Sequence, residues 1–220
     1  MSDAFDKDVS GERLFVAGIE KSENIVKYVL SNGQIFYTRE QYFQIGLESG
    51  LQLSDEVLDA LFQAMRTYLA ECKAVSLLNY AENSRFMLTT KLVRKGFSPA
   101  EYEPALDYLE AEDFLSDRRF AESWVRSRLK RKAESRLVIL GKLTTRGVSS
   151  ELAEAVVADY FEEVDETALC VAAFKKQLRK CKDVEKVFRR LQRAGFSYSL
   201  IRAAEKSCKK LGNLEECKGN

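Results

Sequence analysis

Lys91-Leu92-Val93-Arg94-Lys95-Gly96-Phe97-Ser98, Lys142-Leu143-Thr144-Thr145-Arg146-Gly147-Val148-Ser149 and Arg190-Leu191-Gln192-Arg193-Ala194-Gly195-Phe196-Ser197 are three copies of one pattern, with the glycines 51 and then 48 residues apart. Each copy has one physical reading. A helix ends in a basic last turn, glycine takes the left-handed position after it, an apolar residue folds back onto the helix, and serine caps the next helix. In the first copy Ser98, Pro99 and Glu101 add a proline at the first helical position and a capping box. Twelve residues before each glycine stands another cap, Ser84, Ser135 or Asp183, so the middle helix has the same length three times.

Upstream of each middle helix runs an apolar stripe at helical spacing: Leu58, Leu61, Phe62, Met65 and Leu69, then Phe120, Ala121, Trp124, Val125 and Leu129, then Ala168, Val171, Ala172 and Leu178. The unit is therefore three helices, present three times. Acidic joints, 110–113 and 161–166, separate the copies and predict repeats at 54–110, 111–161 and 162–212, followed by a tail at 213–220. Tandem units joined this way form a quasi-one-dimensional array, expected to be elongated and curved, and such arrays usually bind rather than catalyse.

Residues 1–53 differ. Leu14–Ile19 and Ile25–Leu30 are β-branched and aromatic, as strands prefer, and Ser31-Asn32-Gly33-Gln34 links the second run to Ile35–Thr38. Asn-Gly between apolar runs predicts a hairpin with a two-residue type I′ turn. A short helix is predicted from about Glu40 to Gly46 or Gly50, before Ser54 caps a long helix. The fold class is mainly α, with a small β-hairpin-containing module in front.

The composition agrees. Two prolines in 220 residues argue against a loop-rich β-sandwich, and 45% hydrophobic with 31% charged residues describes a soluble globular chain. Histidine is absent, which removes the usual general base, the commonest metal ligand and every Ser-His or Cys-His pair. The five cysteines, Cys72, Cys170, Cys181, Cys208 and Cys217, never fall in a CxxC spacing, so they read as small helix-buried hydrophobes plus one in the tail, in a reducing cytoplasm. No signal peptide or membrane anchor is expected. The one Gly-Lys pair, Gly141-Lys142, has Arg136 and Leu143 where a phosphate-binding loop needs Gly and Ser or Thr. Acidic pairs such as Glu162-Glu163 belong to the joints. An enzyme is not expected, nor any catalytic residue, cofactor or metal.

The net charge of +1 hides an asymmetry: residues 1–117 sum to −9 and residues 118–220 to +10. The basic residues concentrate in two stretches. Arg119, Arg126, Arg128, Lys130, Arg131, Lys132, Arg136, Lys142 and Arg146 lie in the second repeat, and Lys175, Lys176, Arg179, Lys182, Lys186, Arg189, Arg190 and Arg193 in the third. Basic helix faces of this density attract polyanions, either nucleic acid or an acidic protein surface. Trp124 shares its stripe with Phe120 and Val125 and reads as core rather than as a platform for bases.

The stretch Asp117-Arg118-Arg119-Phe120-Ala121-Glu122-Ser123-Trp124-Val125-Arg126-Ser127-Arg128, followed by Leu143-Thr144-Thr145-Arg146-Gly147-Val148, resembles the signature of the bacterial RecX family of recombinase regulators. Phe120, Ala121, Trp124, Val125 and the glycines Gly96, Gly147 and Gly195 carry the repeat signature. The resemblance runs from about Tyr68 to Lys210. It implies a monomeric modulator, in the first instance an inhibitor, of the RecA recombinase. Such a protein lies in the groove of the filament on single-stranded DNA and tunes ATP hydrolysis, strand exchange and filament stability in DNA repair and the SOS response. Some members of that family also bind DNA themselves, which makes single- or double-stranded DNA a further expected partner. The alternative reading is a stand-alone nucleic-acid-binding repeat protein. Ala81, Asn83 and Met87 stand where family members often carry charges in repeat one, which concentrates the electrostatics in repeats two and three. A compact sphere of this length would have a radius of gyration of about 17 Å. Small-angle scattering is expected to give a clearly larger value, and a value at the spherical limit would contradict the tandem organisation.

Overall fold

Residues 13–216 are described by a computed structural model; Cys217 and residues 217–220 of the expected tail lie outside the described residues, as do residues 1–12. Three antiparallel strands come first: β1 (Val16–Ser22), β2 (Ile25–Leu30) and β3 (Ile35–Arg39), in that order across the sheet. β2 and β3 alternate as half-buried strands should, with Val26, Tyr28 and Leu30 of β2 facing the core. The β2–β3 hairpin is present, but its turn differs from the expected type. Leu30 N–H donates to Gln34 O and Gly33 N–H to Leu30 O, both at 2.9 Å, and Gly33 has φ +83° while Asn32 does not have positive φ. The loop is therefore three residues long, a turn closed by one left-handed glycine. Asn32 Oδ1 accepts from Gln34 N–H at 3.0 Å and so does its work as a side-chain turn former.

The helix expected after Glu40 shrinks to a single 3-10 turn, Glu40–Tyr42. Phe43 follows in extended backbone (φ −140°, ψ 99°) and is drawn into the core, which stops the helix before either glycine.

Nine α-helices complete the described residues: α1 (Asp55–Tyr80), α2 (Arg85–Arg94), α3 (Pro99–Ala111), α4 (Asp117–Arg131), α5 (Arg136–Thr144), α6 (Ser150–Glu163), α7 (Glu166–Lys180), α8 (Val184–Arg193) and α9 (Tyr198–Glu216). They form three three-helix repeats. The chain divides into two compact units, one made of the chain up to Tyr80 with Thr89–Phe114, the other of Ala81–Leu88 with the chain from Leu115 onward.

In the first unit the sheet packs on α1, where Val26, Tyr28 and Phe36 meet Leu61, Ala64 and Met65. Phe62 and Leu69, expected in the α1 stripe, are instead partly exposed, because the buried face runs through Ala64, Ala70 and Ala74. Small residues let neighbouring elements approach this face closely. Glu71 on the same helix is 2% exposed and receives Arg39 Nε at 2.7 Å and Nη2 at 2.5 Å, together with Tyr42 O–H at 3.0 Å. The Arg39 guanidinium also lies 4.3 Å from the Tyr108 ring centroid, so this cluster joins β3 to α1 and α3. Arg66 makes a similar tie: it donates to both oxygens of Glu101 and to Gly96 O. Glu101 is also the partner of Ser98 in the capping box, its Oε2 accepting from Ser98 N–H at 2.7 Å.

In the second unit the α4–α6 core gathers Phe120, Ala121, Val125, Ile139, Leu143, Val148 and Val157, with Trp124 and Leu129 partly buried. The α7–α9 core gathers Cys170, Ala173, Phe174, Val187, Leu191, Phe196 and Ile201. Here the expected stripe is corrected: Ala168 and Ala172 are exposed, and the inward face of α7 is the one carrying Cys170 and Phe174. The cysteines also differ from one another. Cys170 is buried, which pushes its thiol up to about 11, whereas Cys72 is exposed and Cys181 and Cys208 are half-buried.

The three glycine turns are alike. Gly96, Gly147 and Gly195 have φ of +84°, +83° and +85°. Each glycine N–H donates three residues back, and the following Phe97, Val148 or Phe196 N–H donates to the carbonyl of Leu92, Leu143 or Leu191 at 3.2 Å. Ser84, Ser135 and Asp183 each accept from the amide three residues on, as expected of caps.

Two of the glycines have a second role that their φ does not reveal. A Cβ on Gly147 would collide with Phe86 from the start of α2, and a Cβ on Gly195 with Ser135 and Val138 from the start of α5; one on Gly96 would meet nothing within 4 Å. Hydrogen bonds accompany both contacts. Ser84 Oγ donates to Arg146 O, and Ser135 N–H donates to Ala194 O at 3.0 Å. The N-terminus of one middle helix thus sits on the glycine turn of the next repeat. Alanine at Gly96 is expected to cost about 1–2 kcal/mol for the left-handed conformation alone. Alanine at Gly147 or Gly195 is expected to cost clearly more, because steric displacement is added. Denaturant unfolding of the three variants checks the ranking, and equal losses would contradict the seating role.

Candidate binding face on the second and third repeats

Local sequence explains why so many cations stand where they do. The last turns of α4, α7 and α8 hold Arg128, Lys130 and Arg131, then Arg179 and Lys180, then Arg190 and Arg193. Cations at helix C-termini complement the macrodipole, so part of the basic density is a helix-ending device. The structure divides the remainder between side chains tied into the fold and side chains facing solvent.

Between α4 and α5 lies the tied set. Glu134, 7% exposed, accepts Arg128 Nε at 2.9 Å, Arg128 Nη2 at 2.7 Å and Lys142 Nζ at 2.6 Å. Burial pushes the Glu134 carboxyl up, but the hydrogen bonds and charges of Arg128 and Lys142 outweigh it and hold the group below the usual carboxylate range. Arg146 donates to Lys142 O and lies over the Trp124 ring at 4.7 Å, while Arg128 approaches the same ring at 5.9 Å. Trp124 is thus half-buried against the α4–α6 core and covered by guanidinium on its polar side. Arg119 pairs with Glu82 at 2.6 Å. Arg119, Arg128, Lys142 and Arg146 therefore all have structural work within the second unit.

The free set is exposed. Arg126, Lys130, Arg131, Lys132 and Arg136 in the second repeat, and Lys175, Lys176, Arg179, Lys182 and Arg193 in the third, make no ion pair among the described residues. Arg126 and Lys130 lie one turn apart on α4, hence on one face, and Lys175 and Arg179 do the same on α7. Arg131 reaches back to Ser127 Oγ at 3.0 Å. On α8 the cations are lightly held: Lys186 pairs with Asp183 at 3.3 Å, Arg189 with Glu185 at 3.4 Å, and Arg190 contacts Gln177 Oε1 at 3.3 Å, all exposed. Exposed pairs of this kind contribute little and are readily exchanged.

Two groups escaped the sequence reading. Glu134 looked like one acid within a basic run, and only the fold shows that it gathers cations from two helices. Arg202 lies in α9, inside the basic stretch but beyond Arg193, the last contact candidate, and packs 5.0 Å and 5.1 Å from the Phe188 and Tyr198 ring centroids. Among the described residues no group of acids and cysteines is placed to hold a metal ion, and no helix is long and apolar enough to cross a membrane.

Three three-helix repeats whose middle helices close in matched glycine turns, with a basic second half, define a tandem helical-repeat protein. Comparison with known proteins narrows the class. A family profile described as RecX, second three-helix domain, matches residues 116–157, which span α4, α5 and part of α6. The chain is 39% identical over 153 residues to the regulatory protein RecX of Treponema pallidum (strain Nichols), covering 70% of this chain and 93% of that one. It is 31% identical over 137 residues to the regulatory protein RecX of Pelodictyon phaeoclathratiforme, covering 60% and 83%. A crystal structure of regulatory protein RecX superposes with a TM-score of 0.72 over 88% of this chain and 99% of the other, at 20% identity. RecX from Lactobacillus salivarius superposes with a TM-score of 0.56 over 64% and 96%. The chain belongs to the RecX family of regulatory proteins.

Glu134→Gln is expected to lower stability at neutral pH by about 1–3 kcal/mol, since it removes the negative charge and one of the two acceptor oxygens that Arg128 and Lys142 share. The folded-state pKa of Glu134 lies below its unfolded value, so its contribution is present above about pH 4.3 and is lost as pH falls through the depressed folded value. Thermal unfolding across pH should therefore show the two proteins converging in acid. A gap that persists unchanged at low pH would contradict the assignment.

Proposed function

We propose that this protein modulates the RecA recombinase, in the first instance as an inhibitor, by lying along the groove of the RecA filament on single-stranded DNA and regulating ATP hydrolysis, strand exchange and filament stability. The observation that carries this reading is the exposed cation set of repeats two and three on a chain of the RecX family. Cations with no ion pair among the described residues can meet acidic protomer surfaces or DNA phosphates without breaking a salt bridge.

The three repeats, taken as 54–110, 111–161 and 162–212, act as linked sites. Several weak contacts on one chain gain effective concentration from their connection, so none has to be strong by itself. The protein acts as a monomer in the cytoplasm, without enzymatic activity of its own or a cofactor. Arg126, Lys130, Arg131, Lys132, Arg136, Lys175, Lys176, Arg179, Lys182 and Arg193 contact the partners directly. Arg119, Arg128, Lys142 and Arg146 shape the second repeat that presents them. Lys186, Arg189 and Arg190 exchange their light intramolecular pairs for partner contacts.

The second reading, a stand-alone nucleic-acid binder, is favoured by the run Lys130-Arg131-Lys132 at the C-terminal end of α4, which suits a phosphate backbone. A salt series separates the two. Affinity for bare single strands that falls by about 0.7 log units per neutralised phosphate for each log unit of salt, and is tight without recombinase, favours the second reading.

Substoichiometric protein is expected to depress the DNA-dependent ATPase of RecA and to co-sediment with its filaments. Combined charge reversal at Arg126, Lys130 and Arg131 is expected to weaken both effects about tenfold or more while leaving the unfolding transition in place. Unchanged ATPase and no co-sedimentation of the wild-type protein would contradict the proposal.

A further inference from the structure

The repeats serve as internal controls for one another, and one surface of the third repeat departs from the other two. Counting from the glycine turns, Arg202 stands where repeats one and two carry Glu103 and Glu154, a reversal of charge at one position of the third helix. Tyr198 replaces Pro99 and Ser150, Phe188 replaces Thr89 and Leu140, and Arg189 replaces Thr90 and Gly141. These four substitutions come from two helices and meet in one groove, which Gln192 also lines.

The groove is built rather than incidental. Phe188 packs edge-on against buried Phe174, with centroids 6.0 Å apart and planes at 88°. Tyr198 leans on Phe188 at 5.8 Å, and Arg202 lies over both rings while its Nε donates to Tyr198 O–H at 2.8 Å. Glu205, 7% exposed, receives Arg202 Nη1 at 2.9 Å and fixes the guanidinium from the other side. Tyr198 is nevertheless 54% exposed. An aromatic ring kept in one orientation yet open to solvent needs little ordering when something stacks on it. The acid in the groove wall, Glu185, is already paired with Arg189. Arg189 and Arg202 are the two cations of the groove lining, and the Arg189–Glu185 pair is exposed and readily exchanged.

We propose that this groove is a stacking site for an unpaired base of single-stranded nucleic acid, with Tyr198 as the platform and Arg189 and Arg202 drawing in the adjoining phosphate. Aromatic faces accept any base, and neighbouring guanidinium groups supply the backbone contact, so the site is tolerant of sequence. It rests on the reading that repeats two and three meet DNA, and it names where a base, rather than only the backbone, is held.

The test uses the full chain and fluorescence anisotropy with two labelled probes of equal length and charge, oligodeoxythymidine and its abasic counterpart. Wild-type protein is expected to prefer the base-bearing strand by about 5- to 150-fold, the range that one base–aromatic stack provides. Tyr198→Ser, which installs the residue type found in repeat two, should bring the two probes to equal affinity. Tyr198→Phe keeps the ring and should retain the preference. Arg202→Glu should weaken both probes. Equal binding of the two probes by wild-type protein, including binding of neither, overturns the proposal, as does a preference that survives Tyr198→Ser. Loss of RecA co-sedimentation in Tyr198→Ser with oligonucleotide binding intact also overturns it and makes the groove a protein-docking surface. The RecA ATPase assay is read separately: wild-type protein that alters the ATPase but shows no base preference removes the stacking site and leaves the RecA reading standing.

Discussion

The left-handed glycine that closes each middle helix is the constraint on which the repeats depend. At Gly96, Gly147 and Gly195 it reverses the chain, satisfies two helix-end carbonyls and directs an apolar residue back onto the helix. At Gly147 and Gly195 the missing side chain also makes room for the capped start of the preceding middle helix. One residue type thus meets a backbone requirement and a packing requirement together. Gly96, which belongs to the first repeat and has no repeat before it, meets only the first. The same ordering accounts for the caps. Ser84, Ser135 and Asp183 each cap their own helix, and Ser84 and Ser135 also hydrogen-bond to the glycine turn of the following repeat.

What could be read from the sequence was what local chemistry decides. Caps, glycine turns and the Asn-Gly hairpin each depend on a few adjacent residues, and all appear at the expected positions. Where distant groups decide, local reading fell short. The turn at Ser31-Asn32-Gly33 has one left-handed residue rather than two, a difference set by how β2 and β3 register. The inward face of α7 was misplaced by a few residues because Ala168 and Ala172 are apolar yet uncommitted, while Cys170 and Phe174 are the side chains that fill the core. On α1, Phe62 and Leu69 gave way to alanines, since close packing favours small residues there. Helical period identifies a helix readily, but which apolar stripe points inward depends on partners far along the chain.

The basic surface shows the same division. Composition alone gives Arg128 and Lys130 equal standing, though they are two residues apart. In the fold they differ fully: Arg128 is bound to buried Glu134, and Lys130 has no ion pair among the described residues. Trp124 belongs to both worlds, with one part in the α4–α6 core and another beneath Arg146. The cations that hold the second repeat together and the cations available to a partner are therefore interleaved on the same helices. Electrostatic attraction can then be strong without loosening the scaffold, because the exposed set is free to change partners while the tied set stays in place.

Lysine footprinting on the protein alone and on the protein bound to RecA–single-stranded DNA filaments tests the central claim most directly. Acetylation of Lys130, Lys132, Lys175, Lys176 and Lys182 should be strongly suppressed on filaments, while Lys21 and Lys27 of the β-sheet keep the reactivity they have in the free protein. Suppression confined to the sheet lysines, or no suppression anywhere on filaments that have bound the protein, would contradict the assignment of the partner-facing surface to the second and third repeats.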